Sequence, residues 1–322
     1  MSHAVRTAGN PLSSSASKNL RKYNLHGLIL ASTLELPELI GQQVDHDSEP
    51  DATIEVGDVP TEISNAELSE EGFLIGSNEI LIPIDGVARY LAQGGRRIII
   101  HPLAGASHEL VRLFLYGAAL SAFLLQRGLT PLHASAVVIA DRAVAFAGPR
   151  GHGKSTLAAS LIARGYAVLS DDKITVQPRP TGIFALPGPP ILSLFPSAAR
   201  ATGQSRKNRV SDLKKFGKYS YLVPQPYMST SARLTHVFFM DWAEHPCVTI
   251  SQLAPFEGLV QLRQNLNLGS MVGPLGLEQD FIRWARAMIG EVQLLSLIRP
   301  RDLARMDEVL DQIVAYVERP HG

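Results

Sequence analysis

Short apolar runs separated by turn residues fill the first third of the chain. They lie at residues 73–75, 80–84 and 97–100, with Gly, Asn and Asp between them. Runs of this length bounded by turn formers are typical of β-strands. Residues 107–126 then show one long helical pattern. This order predicts an N-terminal β-rich α+β domain over residues 22–128, closed by a helix that bridges to the rest of the chain.

Strand and helix patterns alternate after this helix. Two apolar runs at 136–139 and 143–146 predict a hairpin, and a helix is predicted over 154–164, where Gly165 supplies a common C-terminal signal. The other predicted elements are strands at 166–169, 174–176 and 183–186, a hairpin of 237–240 with 248–253, and helices at 279–289 and 301–317. The pattern indicates an α/β domain over residues 129–322.

The N-terminal segment and the longest apolar stretch indicate where in the cell the protein is found. Residues 1–21 are rich in Ser, Ala and Asn without an apolar core, so they predict a disordered tail and no secretory signal. The stretch at 110–125 is broken by Arg112 and is too short to span a bilayer. A buried helix is favoured there, and we expect a cytoplasmic protein.

The charges balance, with 30 basic and 30 acidic residues among 322. A neutral chain has no global attraction to nucleic acid or to an anionic membrane, so neither is expected as a partner. The single cysteine, Cys247, excludes an internal disulfide and lies beside an apolar run. We expect it to be a small buried residue and not a nucleophile.

One motif carries specific chemistry. The run Gly148-Pro-Arg-Gly-His-Gly-Lys-Ser155 fits G-x-x-x-x-G-K-[ST], between an apolar strand and a helix. In such a P-loop the backbone amides and the helix N-terminus hold phosphates, the lysine reaches the β- and γ-phosphates, and the hydroxyl holds Mg²⁺. The residues predicted to contact ATP or GTP are Gly148, Arg150, Gly151, Gly153, Lys154, Ser155 and Thr156. For Arg150, a phosphate contact and a solvent-facing side chain stay open.

Two acids and a histidine flank this motif. Asp171 and Asp172 follow the strand predicted at 166–169, at an edge where α/β sheets bind ligands. Acids there hold Mg²⁺ or accept a proton, although a turn cap is the alternative. His133 precedes the hairpin that leads into the P-loop, and by itself it predicts only a structural role.

The segments Leu-His133-Ala-Ser-Ala-Val, Gly-Lys154-Ser-Thr-Leu-Ala-Ala and Leu-Ser-Asp171-Asp together resemble the catalytic core of HPr kinase/phosphorylase. The resemblance is specific over residues 132–176. It implies a P-loop kinase core of the phosphoenolpyruvate carboxykinase/HPr kinase type, with a mixed, strongly bent sheet. It also implies catalytic roles for Lys154, for Asp171 as the base toward a serine hydroxyl, and for His133 beside it. The implied metal ligands are Ser155 and Asp172.

The chain departs from that family after the paired acids. HPr kinases carry a Glu-Arg-Gly-Leu-Gly-like signature, whereas residues 186–195 are Leu-Pro-Gly-Pro-Pro-Ile-Leu-Ser-Leu-Phe and contain no acid. This disfavours phosphorylase activity and HPr as the substrate. Residues 23–30, 36–39, 52–60 and 297–303 resemble the HPr-kinase-like proteins of lasso-peptide biosynthesis. That resemblance implies phosphorylation of the C-terminal serine of a precursor peptide.

Four interpretations of function follow. The leading one is a lasso-type precursor-peptide serine kinase that uses ATP (or GTP) and Mg²⁺. The alternatives are an HPr-type protein kinase, a P-loop ATPase or binding module, and a kinase of a small molecule. A basic run at 206–218 could clamp a phosphate, capture a carboxylate-ended peptide or form a solvated loop. HPr kinases are hexamers, which leaves a homo-oligomer open.

Overall fold

The structure of the protein is a computed structural model that describes residues 20–319, apart from 46, 213, 215, 216, 224–226, 245 and 246. The tail predicted over residues 1–21 lies outside the described residues except for its last two positions. Arg21 already begins the first strand.

Eight strands of the first part form one mixed sheet in the order β1-β2-β3-β8-β7-β6-β5-β4. They are β1 (Arg21–Leu25), β2 (Leu28–Ser32), β3 (Ala52–Val56), β4 (Glu67–Leu68), β5 (Leu74–Ile75), β6 (Glu79–Ile84), β7 (Ala88–Gln93) and β8 (Arg97–Pro102). The predicted strands at 73–75, 80–84 and 97–100 correspond to β5, β6 and β8. Strand β3 pairs in parallel with β2 and β8, while the other neighbours are antiparallel.

The predicted helix packs on this sheet. It consists of α1 (His108–Phe114), a π-helical turn at Leu115–Ala119 and α2 (Leu120–Gln126). It is long and apolar enough to cross a membrane by composition alone, yet most of that stretch is buried in the protein. All six residues at 120–125 lie in the core, so the prediction of a buried helix is confirmed.

Nine strands form a second, mixed sheet in the order β12-β10-β11-β17-β14-β13-β9, with β19 beside β17 and β18 beside β19. They are β9 (Thr130–Leu132), β10 (Ala134–Ile139), β11 (Arg142–Ala147), β12 (Ala167–Ser170), β13 (Ile174–Arg179), β14 (Gly182–Leu186), β17 (Ala232–Trp242), β18 (Thr249–Gln252) and β19 (Gln293–Arg299); β15 (Ile191–Leu194) and β16 (Tyr219–Leu222) pair separately. The pairs β11/β17 and β17/β19 are parallel and the others antiparallel. The predicted mixed α/β class is confirmed.

Helices cover both faces of the second sheet. They are α3 (Lys154–Ala163), α4 (Pro196–Ala201), α5 (Pro255–Gln264), α6 (Glu278–Glu291) and α7 (Met306–Glu318). Alternate residues of β11 serve the two layers: Val144 and Phe146 pack with α3 and α7, whereas Ala143 and Ala145 pack with α5 and α6. A strand buried on both faces is apolar throughout, which explains its unbroken hydrophobic run.

Two expectations about the later strands are wrong. The predicted hairpin of 237–240 with 248–253 does not form, because β19 lies between β17 and β18. Cys247 is exposed instead of buried. It precedes β18, an edge strand. Val248, just before that strand, and Ile250 within it are only partly buried against the core, and Cys247 itself stays outside.

Buried polar contacts join the two sheets. The backbone N–H of His26 donates to the carbonyl of Pro187 at 2.9 Å. The imidazole Nδ1 of His26 lies 3.0 Å from Thr175 Oγ1. Burial lowers the pKa of His26 to about 3, and the charge of Lys173 adds to that shift. His26 is therefore neutral in the folded protein.

This histidine predicts acid sensitivity. A folded-state pKa below the unfolded value means that its contribution is complete above about pH 6.5 and falls as the pH drops. Asparagine suits the left-handed backbone at residue 26 (φ 52°). We expect the unfolding free energy of the variant His26→Asn to fall less steeply between pH 6.5 and 4, with a slope smaller by up to about 1.4 kcal/mol per pH unit. Urea unfolding across this range measures it. The exposed His108→Asn serves as the control, and an unchanged slope in His26→Asn would contradict the expectation.

Candidate functional site

The glycine loop, residues 148–153, joins the end of β11 to the start of α3. Gly148, Gly151 and Gly153 have φ values of 140°, 91° and 82°, which glycine adopts without strain. A Cβ at Gly148 would lie 2.8 Å from the carbonyl oxygen of Met240, and one at Gly153 would overlap the guanidinium of Arg299. The loop is thus packed against β17 and β19 so closely that side chains would displace it.

Lys154 lies at the first position of α3 and folds back over the glycine loop. Its Nζ donates to the carbonyls of Gly148 at 2.7 Å and Pro149 at 3.2 Å, and the residue is buried. Burial lowers the pKa of the ammonium to about 8, while the nearby carboxylate of Asp171 opposes that shift. Lys154 remains mostly cationic at neutral pH, beside the amides of the loop and the helix N-terminus.

The two adjacent acids have opposite environments. Asp171 is buried, with Oδ1 accepting from the Ser135 hydroxyl at 2.5 Å and Oδ2 from the Ser193 N–H at 3.0 Å. Asp172 has a left-handed backbone, with φ of 69°, and its side chain is about half exposed. Asp172 lines the cavity described below, whereas Asp171 does not.

His133 lies beside Asp172. Its Nδ1 is 2.8 Å from the Asp172 carbonyl oxygen and 3.7 Å from the Asp172 carboxylate. A carbonyl only accepts, so Nδ1 carries the proton and Nε2 keeps its lone pair in the neutral ring. Burial lowers the pKa of His133, and Asp172 partly opposes this. A neutral imidazole that can accept a proton therefore faces the site.

These groups line one cavity of about 250 Å³. The predicted residues on its wall are His133, Arg150, Gly151, Gly153, Lys154, Ser155, Thr156 and Asp172. Gly148 lines a neighbouring cavity, and Asp171 lies behind the wall. Most of the predicted site is thus brought together, although the carboxylate predicted to be the base is not in direct contact with this space.

The basic run at 206–218 contributes one cation to that wall, Lys218. Arg209 instead stacks on Tyr219, 3.7 Å from the ring centroid, and pairs with Asp212. Lys215 lies outside the described residues. Along the described part of the run, a phosphate contact is therefore available to Lys218 alone.

Four further cavity residues were not predicted from sequence. Ser193, Leu194 and Phe195 come from the segment 186–195, which lacks an acid, and Asn267 follows α5. Ser193 acts on Asp171 through its backbone N–H. A backbone donor has no residue signature, and Asn267 reaches the site only through tertiary packing.

Arg299 also contacts the glycine loop, and the sequence assigned it no role at the site. It is 2% exposed, donates through Nη2 to the His152 carbonyl of the glycine loop at 2.9 Å, and lies 4.4 Å from the centroid of Trp242. Its Nε has no hydrogen-bond partner, and no carboxylate in the described part of the chain pairs with it. Burial lowers its pKa to about 10, so it stays charged. A cation held without a counter-ion behind the loop favours an anion in front of it.

Ser155 and Asp172 both line the cavity, as the predicted metal site requires. Within the described ranges, no group of three or more His, Cys, Asp or Glu side chains could hold a metal by itself. Mg²⁺ in nucleotide sites takes one or two protein oxygens and completes its shell with phosphates and water. The hydroxyl and carboxylate fit that mode of binding.

No family model and no curated protein matches the chain. Among solved structures, it is similar to the HPr(Ser) kinase/phosphatase from Coxiella burnetii, with 14% sequence identity and a TM-score of 0.32 over 58% of this chain and 95% of that one. A TM-score of this size is too low to carry an argument about activity.

The role of Arg299 can be tested against a matched neighbour. We expect Arg299→Met to weaken ATP binding about tenfold or more, because it removes a buried cation behind the loop, and Arg299→Lys to restore part of the affinity. The nucleotide-free variant should not be less stable, since an unpaired buried charge opposes folding. Calorimetric titration and thermal unfolding measure both effects.

The control is Arg301→Met, which removes an exposed arginine 5.8 Å from the same Trp242 ring. Equal ATP affinity in the Arg299 and Arg301 variants would show that the buried charge does not act on the nucleotide.

Proposed function

We propose that this protein is a nucleoside-triphosphate-dependent kinase that transfers a γ-phosphate to a serine hydroxyl. The observation that carries the proposal is a single cavity lined by the glycine loop, Lys154, Ser155, Asp172 and His133. A cradle for phosphates, a metal-binding pair and a proton acceptor are the parts that phosphoryl transfer needs. The loop is accordingly a P-loop that holds ATP or GTP.

The phosphates would be held by charge and by backbone donors. The loop amides and the N-terminus of α3 face them, with Lys154, Arg150 and Lys218 as cations on the wall. Mg²⁺ on Ser155 and Asp172 would neutralise the charge that develops on the phosphate oxygens. Arg299 would hold the loop in place from behind.

Asp171 is our proposed base, as the resemblance implies. The Ser135 hydroxyl and the Ser193 N–H fix its carboxylate in one orientation, which suits a positioned proton acceptor. The geometry also favours a second candidate, because His133 lines the cavity and Asp171 does not. Hydroxyl deprotonation by either group leaves the same product.

For the acceptor, we propose the C-terminal serine of a lasso-type precursor peptide. The absence of an acid from residues 186–195 supports a one-way transfer, and the cations Arg150 and Lys218 suit a terminal carboxylate or a new phosphate. A peptide tail enters a cleft that excludes a folded domain. An HPr-type kinase and a P-loop ATPase module are the alternatives.

Isosteric substitutions separate the two carboxylates. We expect Asp171→Asn to lower the transfer rate about 100-fold or more while sparing ATP affinity, because an amide accepts no proton. Asp172→Asn should instead raise the Mg²⁺ concentration needed for half-maximal rate. Magnesium titrations of both variants decide this, and the reverse pattern would exchange the two roles.

Mass spectrometry on a peptide panel tests the proposed acceptor. Peptides ending in Ser should gain one phosphate on that residue, and those ending in Ala should gain none. Lys154→Ala should lower labelling about 100-fold or more, since it removes the cation at the β- and γ-phosphates. Labelling of HPr alone would favour the HPr-type kinase, and phosphate release to water alone would favour the ATPase module.

A further inference from the structure

A second, larger cavity of about 930 Å³ adjoins the strand end of the glycine loop. Its wall is formed by the glycine loop, by α5 and by the ends of β17 and β19. One residue from the part of the chain that forms the first sheet, Glu71, completes it. It shares His133, Arg150 and Asn267 with the smaller cavity, whereas Lys154, Ser155 and Thr156 line the smaller one alone. The two spaces therefore meet where a γ-phosphate and its acceptor would meet.

The shared wall is held firmly. Residues 265–268 follow α5, and Asn265 accepts through its carbonyl from the His133 N–H at 2.7 Å. The Asn267 N–H donates to Pro131 at 2.8 Å, while Leu268 adopts a left-handed backbone with φ of 57°. A non-glycine residue in this conformation is typical of functional loops. These hydrogen bonds fix the loop to β9 and to His133, which directly follows that strand.

We infer that this larger cavity binds the acceptor as an extended peptide, an inference that rests on the proposed kinase activity. Its volume falls within the range of about 300–1,000 Å³ that encloses medium-sized ligands, so several residues fit and a folded domain does not. Four residues on the wall carry carboxamides: Gln261, Gln264, Asn265 and Asn267. The Asn265 amide already donates to Gln261. Carboxamides both donate and accept, as the peptide groups of an extended chain require.

The charges of the cavity give the peptide a preferred composition. Glu71 and Asp241 stand on the wall with one arginine, Arg150, at the junction. Both carboxylate oxygens of Glu71 lie 2.7 Å from the Ser270 hydroxyl. This contact fixes the exposed carboxylate of Glu71 against the part of the chain that forms the second sheet. Arg150 is placed to meet the C-terminal carboxylate, and the two acids favour Lys or Arg over Asp or Glu in the residues before it.

Binding can be measured apart from transfer. The probes are two fluorescent peptides that end in Ala instead of Ser, one with Lys and one with Glu before the terminal residue. Fluorescence anisotropy in the presence of Mg²⁺ and a non-hydrolysable ATP analogue gives their affinities for the full chain. We expect the Lys peptide to bind about tenfold more tightly, and Glu71→Arg to lower this ratio about fivefold or more.

The matched control is Glu70→Arg, which makes the same charge change on the neighbouring exposed residue that does not line the cavity. It should keep the wild-type ratio. Equal ratios for the two variants, no preference in the wild type, or no binding of either peptide would each overturn the inference. Thermal unfolding checks that both variants fold.

The serine-ended versions of the peptides separate this inference from the proposed function. Binding with the expected preference but phosphate release only to water would overturn the kinase and leave the peptide site standing. Phosphorylation with a Lys preference that Glu71→Arg leaves unchanged would support the kinase and overturn the cavity as its acceptor site.

Discussion

The buried ammonium of Lys173 joins the second sheet to the helix that packs on the first sheet. Lys173 is 2% exposed and donates to the carbonyls of Tyr116 and Gly117 in the π-helical turn. A buried cation needs such acceptors, and an α-helix would use these carbonyls for its own ladder. The non-helical backbone of Gly117, with ψ of −105°, makes them available. Because Lys173 directly follows Asp172, the same contact fixes the acid pair.

The first sheet is consequently part of the site. His26 and Gln42 hydrogen-bond the carbonyls of Pro187 and Gly188, at the start of the segment that lacks the expected acid. That segment continues to Ser193, whose N–H orients Asp171. Glu71 completes the wall of the larger cavity from the other end of the sheet. Removal of the first sheet would therefore expose apolar surface and also remove the two hydrogen bonds that hold the start of the segment leading to Ser193.

Periodicity and motifs in the sequence predicted local structure correctly, but they did not predict which distant segments pair. The hairpin that feeds the glycine loop, the loop and its helix follow from periodicity and motif, because each is specified within a few residues. The incorrect hairpin of 237–240 with 248–253 has a different origin. Strand β19 enters between its members from about 40 residues later in the chain, and no local signal records that pairing. The contact of Arg299, on β19, with the glycine loop was not predicted for the same reason.

The paired acids show a second limit. Their sequence identifies two carboxylates at a strand end, but only the structure shows that Asp172 lines the cavity and Asp171 does not. The charged side chains on the two sides of the glycine loop also differ. Lys154, Lys218 and Arg299 surround the smaller space or the loop behind it, while Glu71 and Asp241 stand in the larger one. The proposed anionic nucleotide and the proposed cationic acceptor would thereby be drawn to different sides of the loop and would meet at the wall that both spaces share.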